Sequence, residues 1–170
     1  MKLIQEENFF PNLNFILPEI KKIKLYSSEE YEKLENEKAN WPGLRSKVLT
    51  TTNPIFHEYI TSIIYKKKLL DKGLWEISSF IHLRLKEDNI KDWIHKDSFN
   101  FAALIYISKT NFNSGTYLFD DNNNLINDIK FVSNRFIMYD GQYNHIGYGH
   151  HGDSIENGRL TINLFINKKD

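Results

Sequence analysis

Short alternating runs, rather than long amphipathic stretches, dominate the second half of the chain. Residues 75–85, 101–108, 116–119, 130–133, 135–139 and 160–166 are apolar, β-branched or aromatic, with Gly, Asn and Asp between them, the pattern of strands joined by turns. It predicts an antiparallel sandwich or barrel, with Asp120-Asp121-Asn122-Asn123-Asn124 as the tip of one hairpin. In the last run, period two sends Leu160, Ile162, Leu164 and Ile166 one way and Arg159, Thr161, Asn163 and Phe165 the other. A strand this apolar, with a second face of Arg, Thr and Asn, allows two readings. Either both faces are buried and Arg159 requires an anion, or the polar face meets water and Arg159 makes an ordinary surface ion pair. The strand taken alone favours the second.

Residues 1–72 read differently. Short apolar runs broken by Pro11 and Pro18 suit brief extended pieces better than a helix over residues 1–25. Ser27-Ser28-Glu29-Glu30 is a capping box that opens a charged surface helix to about Lys38. Trp41-Pro42-Gly43-Leu44-Arg45-Ser46 reads as a turn. Asn53 is placed to cap a second helix with Pro54 at its first position. From there Phe56, Tyr59, Ile60, Ile63 and Ile64 recur at helical spacing. The triplet Lys66-Lys67-Lys68 suits dipole complementation at that helix's C-terminal end. A helical and extended support region over 1–72 thus precedes a β-rich body over 73–170. With no repeat and no linker, one domain over 1–170 is expected.

Composition narrows the chemistry. The 170 residues balance 22 Lys+Arg against 22 Asp+Glu, so the electrostatic footprint of a nucleic-acid or anionic-membrane binder is missing. Glu6 and Glu7 interrupt the first apolar run too early for a signal-peptide core. No segment approaches the ~20 apolar residues of a membrane span. A cytoplasmic protein is therefore expected. With no cysteine, a metal would have to be held by His, Asp and Glu.

Trp93-Ile94-His95-Lys96-Asp97 supplies such a start, because in extended chain His95 and Asp97 project to one side. Residue spacing leaves the third ligand open among His145, His150 and His151. Two His and one Asp form the facial set that suits non-haem Fe(II) and leaves positions for small ligands. His57, on the second helix, and His82, on the strand before the pair, require no functional role, although His82 and Arg84 could line a barrel mouth.

The order His95-x-Asp97, then Asn113-Ser114-Gly115-Thr116, then Asn134-Arg135-Phe136-Ile137-Met138-Tyr139-Asp140-Gly141, His145, and Gly152-Asp153-Ser154-Ile155-Glu156-Asn157-Gly158-Arg159-Leu160-Thr161 resembles the Fe(II)/2-oxoglutarate-dependent oxygenases. It is similar to their small bacterial and phage-encoded members near the prolyl-hydroxylase-like branch, which carries the expectation of a bacterial or phage-encoded origin. The resemblance covers residues 80–166 closely and the N-terminal part loosely, through the Pro42-Gly43-x-Arg45 element. It implies a mainly β fold with N-terminal helices, built on a double-stranded β-helix (jelly-roll, cupin-like) barrel. It also implies Fe(II) held by His95, Asp97 and His145, and 2-oxoglutarate held by Arg159 with hydroxyls from Thr161 and Tyr106. The implied reaction consumes O2 and hydroxylates a C–H bond, since relatives that halogenate lack the carboxylate at the position of Asp97. The resemblance leaves the substrate between a peptide or protein side chain, such as proline, and a small molecule. Trp75, Trp93 and the 122–126 hairpin are candidates to border it. His150 and His151 depart from the family pattern, which leaves open a substrate or lid role and a merely solvated one, of which the solvated one is expected. The competing readings are a non-catalytic cupin-like barrel that binds a metal or ligand, and a structural β-sandwich in which His95-x-Asp97 is accidental.

Overall fold

A computed structural model describes residues 3–88 and 92–169. Its elements in chain order are β1 (Ile4–Glu6), α1 (Leu13–Lys22), β2 (Leu25–Tyr26), α2 (Ser28–Glu35), β3 (Leu44–Ser46), α3 (Leu49–Thr52), α4 (Pro54–Lys66), β4 (Trp75–Arg84), β5 (Phe101–Tyr106), β6 (Asn111–Phe119), β7 (Leu125–Phe131), β8 (Phe136–Asp140), β9 (Asn144–Tyr148) and β10 (Arg159–Lys168). Seven strands form a major sheet in the order β1-β8-β5-β10-β4-β3-β2, and three form a minor sheet, β7-β6-β9. Their pairings are antiparallel.

Strand β10 divides the interior. Leu160, Ile162, Leu164 and Ile166 are buried on the helix side, in one cluster with Ile60 and Ile64 of α4 and Ile16 and Ile20 of α1. On the opposite face Arg159 is 4% exposed and Thr161 1%, so the water-facing reading of that face is wrong. Directly opposed residues on paired strands share a face. The register therefore sets Arg45, His82, Thr161 and Tyr106 in one row across β3, β4, β10 and β5, with Arg84 opposite Arg159 in the next. This inner face is closed at one end by a second apolar cluster, in which Tyr106, Ile137 and Tyr139 of the major sheet pack against Leu118, Ile129 and Phe131 of the minor one.

The helical layer departs from expectation in two places. Residues 13–22 form a helix despite Pro18, because Ile16 and Ile20, four residues apart, bury on the core. That packing outweighs the lost backbone bond, and Asn12 caps the first turn by accepting from the Asn14 N–H at 3.0 Å. Asn53 does not cap α4 with its side chain; its own N–H closes α3 on the Leu49 carbonyl at 2.9 Å. The capping box of α2 is present, with Ser27 accepting from the Glu30 N–H and Glu30 from the Ser27 N–H. The helix stops at Glu35, because Asn36 turns left-handed at φ 55°. At the β6–β7 tip the Asp120 carboxylate accepts from the backbone N–H groups of Asn122 and Asn124. Among the described residues no helix is long and apolar enough to cross a membrane.

Because Ile162 is fully buried at the centre of the helix-side cluster, Ile162→Ala is expected to destabilise the fold by about 2–5 kcal/mol. A urea titration followed by circular dichroism checks this, and a loss below about 1 kcal/mol would show that the core does not centre on β10.

Candidate metal centre and buried pocket

His95 and Asp97 enter on the segment before β5, and His145 lies near the start of β9. The chain joins them through a two-residue ladder. The His95 N–H donates to the His145 carbonyl at 3.1 Å, and the His145 N–H returns to the His95 carbonyl at 2.9 Å. Two residues on, the Asp97 N–H donates to the Gly141 carbonyl at 2.8 Å. Gly141 permits this approach, since a Cβ there would fall 2.2 Å from the Phe99 carbonyl oxygen. One potential ligand atom from each of His95, Asp97 and His145 lies within 4.8 Å of the others. His150 and His151 are not part of this cluster.

The imidazoles are oriented alike. Nδ1 of His95 lies 2.9 Å from the Trp93 carbonyl, and Nδ1 of His145 lies 3.0 Å from the Tyr143 carbonyl. A carbonyl only accepts, so each Nδ1 carries the proton and each Nε2 keeps its lone pair for the centre. The His145 Nε2 lies 3.4 Å from Asp97 Oδ2. Burial holds the His145 pKa below its ordinary value, against the opposing pull of Asp97, which keeps the ring neutral and able to ligate. Two imidazole nitrogens and a carboxylate on one side of an open cavity fit a divalent iron.

That cavity, about 270 Å³, lies between the sheets. His95, Asp97 and His145 line it, and so do Arg159, Thr116 and Asn163. The Arg159 guanidinium rests beside the rings of Tyr106 and Phe131, 5.8 and 5.5 Å from their centroids. Its Nη2 donates to the Gly115 carbonyl at 3.1 Å, while its buried Nε has no partner among the described residues. Gly147 leaves space beside it, where a Cβ would sit 3.4 Å from Nη2. Burial lowers the Arg159 pKa, with the Tyr106 hydroxyl opposing. A buried cation with most of its five donors unspent is costly without an anion. Thr161 and Tyr106 share the inner face, yet neither lines the cavity. The Thr161 hydroxyl donates to Asn163 Oδ1 at 2.7 Å. The Tyr106 hydroxyl donates to Thr116 Oγ1 at 2.8 Å, so Thr116, which the strand pattern did not single out, is the hydroxyl that faces the cavity.

No protein-family model matches the sequence, and no curated protein matches it. Solved structures do share its architecture. A prolyl-4-hydroxylase from Pseudomonas putida aligns with a TM-score of 0.60 at 12% identity, over 99% of this chain and 93% of that one. HygX from Streptomyces hygroscopicus, solved with nickel, 2-oxoglutarate and hygromycin B bound, aligns with a TM-score of 0.68 at 8% identity, over 97% of this chain and 82% of its own. An oxidoreductase of the 2OG-Fe(II) oxygenase family from Burkholderia pseudomallei gives 0.64 at 10% identity, over 97% and 84%. The chain has the fold of the 2-oxoglutarate–Fe(II) oxygenases.

Within this oxygenase fold several residues sit elsewhere than expected. His150 is not solvated: its Nε2 lies 2.5 Å from Asp92 Oδ2, and Asp92 also pairs with Arg84, which holds Asp88 as well. This network forms one wall of the cavity. His151 is half-buried, with Nδ1 on the Gly149 carbonyl at 3.0 Å. His82 does line the cavity, but both of its nitrogens are engaged. Nε2 donates to the Pro42 carbonyl at 2.7 Å, and Nδ1 faces the Asn163 amide at 3.3 Å. Burial, aided by the Arg45 charge, pushes the His82 pKa down to about 3, so the ring is neutral. His57 is half-buried against Ser79 Oγ at 2.8 Å. Trp93 lines the cavity and is 40% exposed, whereas Trp75 packs on Phe101 at 5.3 Å and the 122–126 hairpin stays clear.

Calorimetric titration of metal-free protein with Co(II) is expected to show one site. His145→Ala or Asp97→Ala should weaken it by at least about a hundredfold, and His151→Ala should leave it unchanged. Undiminished binding in His145→Ala would move the centre elsewhere.

Proposed function

We propose that the protein is an Fe(II)- and 2-oxoglutarate-dependent dioxygenase that hydroxylates a C–H bond, with His95, Asp97 and His145 as metal ligands and Arg159 as the partner of the cosubstrate's distal carboxylate. The observation that carries this reading is the buried Arg159 guanidinium, without an ion-pair partner among the described residues, in the same cavity as a His-Asp-His cluster. A cupin-like binding barrel has no use for such a cation.

When bound, Fe(II) with 2-oxoglutarate and O2 supplies the oxidising chemistry, coupled to decarboxylation of the cosubstrate to succinate. The chain's own residues hold and orient. The backbone carbonyls of Trp93 and Tyr143 fix the tautomers of His95 and His145. Arg159 presents a planar fork that matches a carboxylate bidentately, which Lys could not do. Its position is set by the Gly115 carbonyl and the flanking rings of Tyr106 and Phe131. His82, neutral and tied to Pro42, neither ligates nor repels. The apolar cluster to which the cavity-lining Tyr139 belongs backs part of the cavity wall, limiting water at the reacting centre.

Anaerobic addition of Fe(II) and then 2-oxoglutarate to metal-free protein is expected to develop the weak visible charge-transfer band of a chelated 2-oxoacid. His145→Ala should show no band. Arg159→Ala should require at least about tenfold more 2-oxoglutarate to reach half of it. Bound iron without a band at any concentration would instead mark a metal-binding barrel of another kind.

A further inference from the structure

The cavity contains a second cation without an ion-pair partner among the described residues, Arg45. Arg45 follows Pro42-Gly43, where Gly43 adopts φ 75° and a Cβ would meet the Leu83 carbonyl oxygen at 2.4 Å. This close approach lets β3 pair with β4 and sets Arg45 opposite His82 on the inner face. The guanidinium carbon lies 4.7 Å from the Phe80 ring centroid, 5.2 Å from that of Phe165 and 5.4 Å from that of Trp41. Three aromatic rings therefore flank the fork. Nε is sealed from solvent, and among the described residues it has no hydrogen-bond partner and no carboxylate forms an ion pair with the side chain. Burial draws its pKa down to about 10, with the Asp97 carboxylate as the leading opposing influence, so it is charged at neutral pH and lies within the field of the metal cluster.

The chain's other arginines are accounted for. Arg84 is held by Asp88 and Asp92, and Arg135 by Glu7 and the Lys130 carbonyl; Arg159 is the fork given to the cosubstrate. Given the oxygenase reading on which this inference rests, 2-oxoglutarate spends one carboxylate at the metal and one on Arg159. It has no third for Arg45. Stacking on aromatic rings stabilises the cation but leaves its buried Nε–H without a hydrogen bond among the described residues.

We propose that Arg45 receives the carboxylate of the substrate, and that the substrate is a small carboxylic acid of about amino-acid size rather than an interior residue of a polypeptide. The cavity of about 270 Å³ has to hold the cosubstrate as well, which restricts what accompanies that carboxylate. An interior peptide residue brings no main-chain carboxylate, and an acidic peptide side chain would have to carry its backbone past Trp93 and Ile94 at the mouth. A planar fork caged by rings selects a planar anion. Anchoring by the carboxylate would hold the neighbouring C–H bonds toward His95, Asp97 and His145.

The test uses the side-chain Nε–H resonances of the four arginines, Arg45, Arg84, Arg135 and Arg159, in protein loaded with Zn(II), with Arg45 assigned by its loss in Arg45→Lys. Adding 2-oxoglutarate should shift Arg159; if it does not, the oxygenase reading itself fails. With 2-oxoglutarate saturating, millimolar acetate and L-proline should each shift Arg45, while acetamide and L-prolinamide should not. A blocked tripeptide with a central glutamate should have no effect. An Arg45 signal unmoved by both acids while Arg159 responds to 2-oxoglutarate overturns this proposal alone. So does a shift produced by 2-oxoglutarate at Arg45 instead of Arg159, or by the tripeptide and not the small acids.

Discussion

Arg159, 4% exposed and with its guanidinium bonded among the described residues to a single backbone carbonyl, is the constraint around which the inner face of the barrel is organised. Taking such a group out of water costs several kcal/mol unless a counter-charge is near, and among the described residues no carboxylate forms an ion pair with Arg159. The cation is held by geometry: β10 is clamped between β4 and β5 over most of its length, and four apolar side chains anchor its other face in the helix-side core. The same strand that gives the protein its core thus forces Arg159 into the pocket. An anion bound beside it offsets that cost.

The metal cluster is built on a different principle. His95 and Asp97 lie outside the long strands, and their positions come from backbone hydrogen bonds to His145 and Gly141. Both imidazoles are then turned by carbonyls two residues upstream in the chain. A carbonyl acceptor two residues back is a local device that travels with the ligand, so the ring orientation depends little on distant packing. Arg84, Asp88, Asp92 and His150 form a further polar wall beside it, in which each charge meets an opposite or neutral partner.

What was legible in the sequence, and what was not, follows from how each signal arises. The two-faced character of β10 is a strict alternation and was plain; whether its polar face met water or interior was not, since that depends on the minor sheet closing over it. The Ser27 capping box is a four-residue motif and formed as read. Helix α1 was missed because Pro18 argues against a helix locally, while the burial of Ile16 and Ile20 that favours one is tertiary. Strand β9 was missed because Asn144 and Gly147 obscure its alternation, and it is held in place by pairing with β6. Choice of His145 from three late histidines came from resemblance, and the cluster now sets it apart from His150, which belongs to Asp92. Arg45 read as part of a turn, because nothing in residues 41–46 announces that Phe80 and Phe165, from two other strands, will close around it.

The most direct test of the buried Arg159 fork compares two ligands that differ by one carboxylate. Calorimetry on the zinc-loaded protein should find 2-oxoglutarate bound at least about tenfold more tightly than 2-oxobutanoate, with the preference collapsing in Arg159→Leu. Equal affinity of the unaltered protein for the two acids would contradict the pairing of Arg159 with the distal carboxylate, and with it the reason offered for that residue's burial.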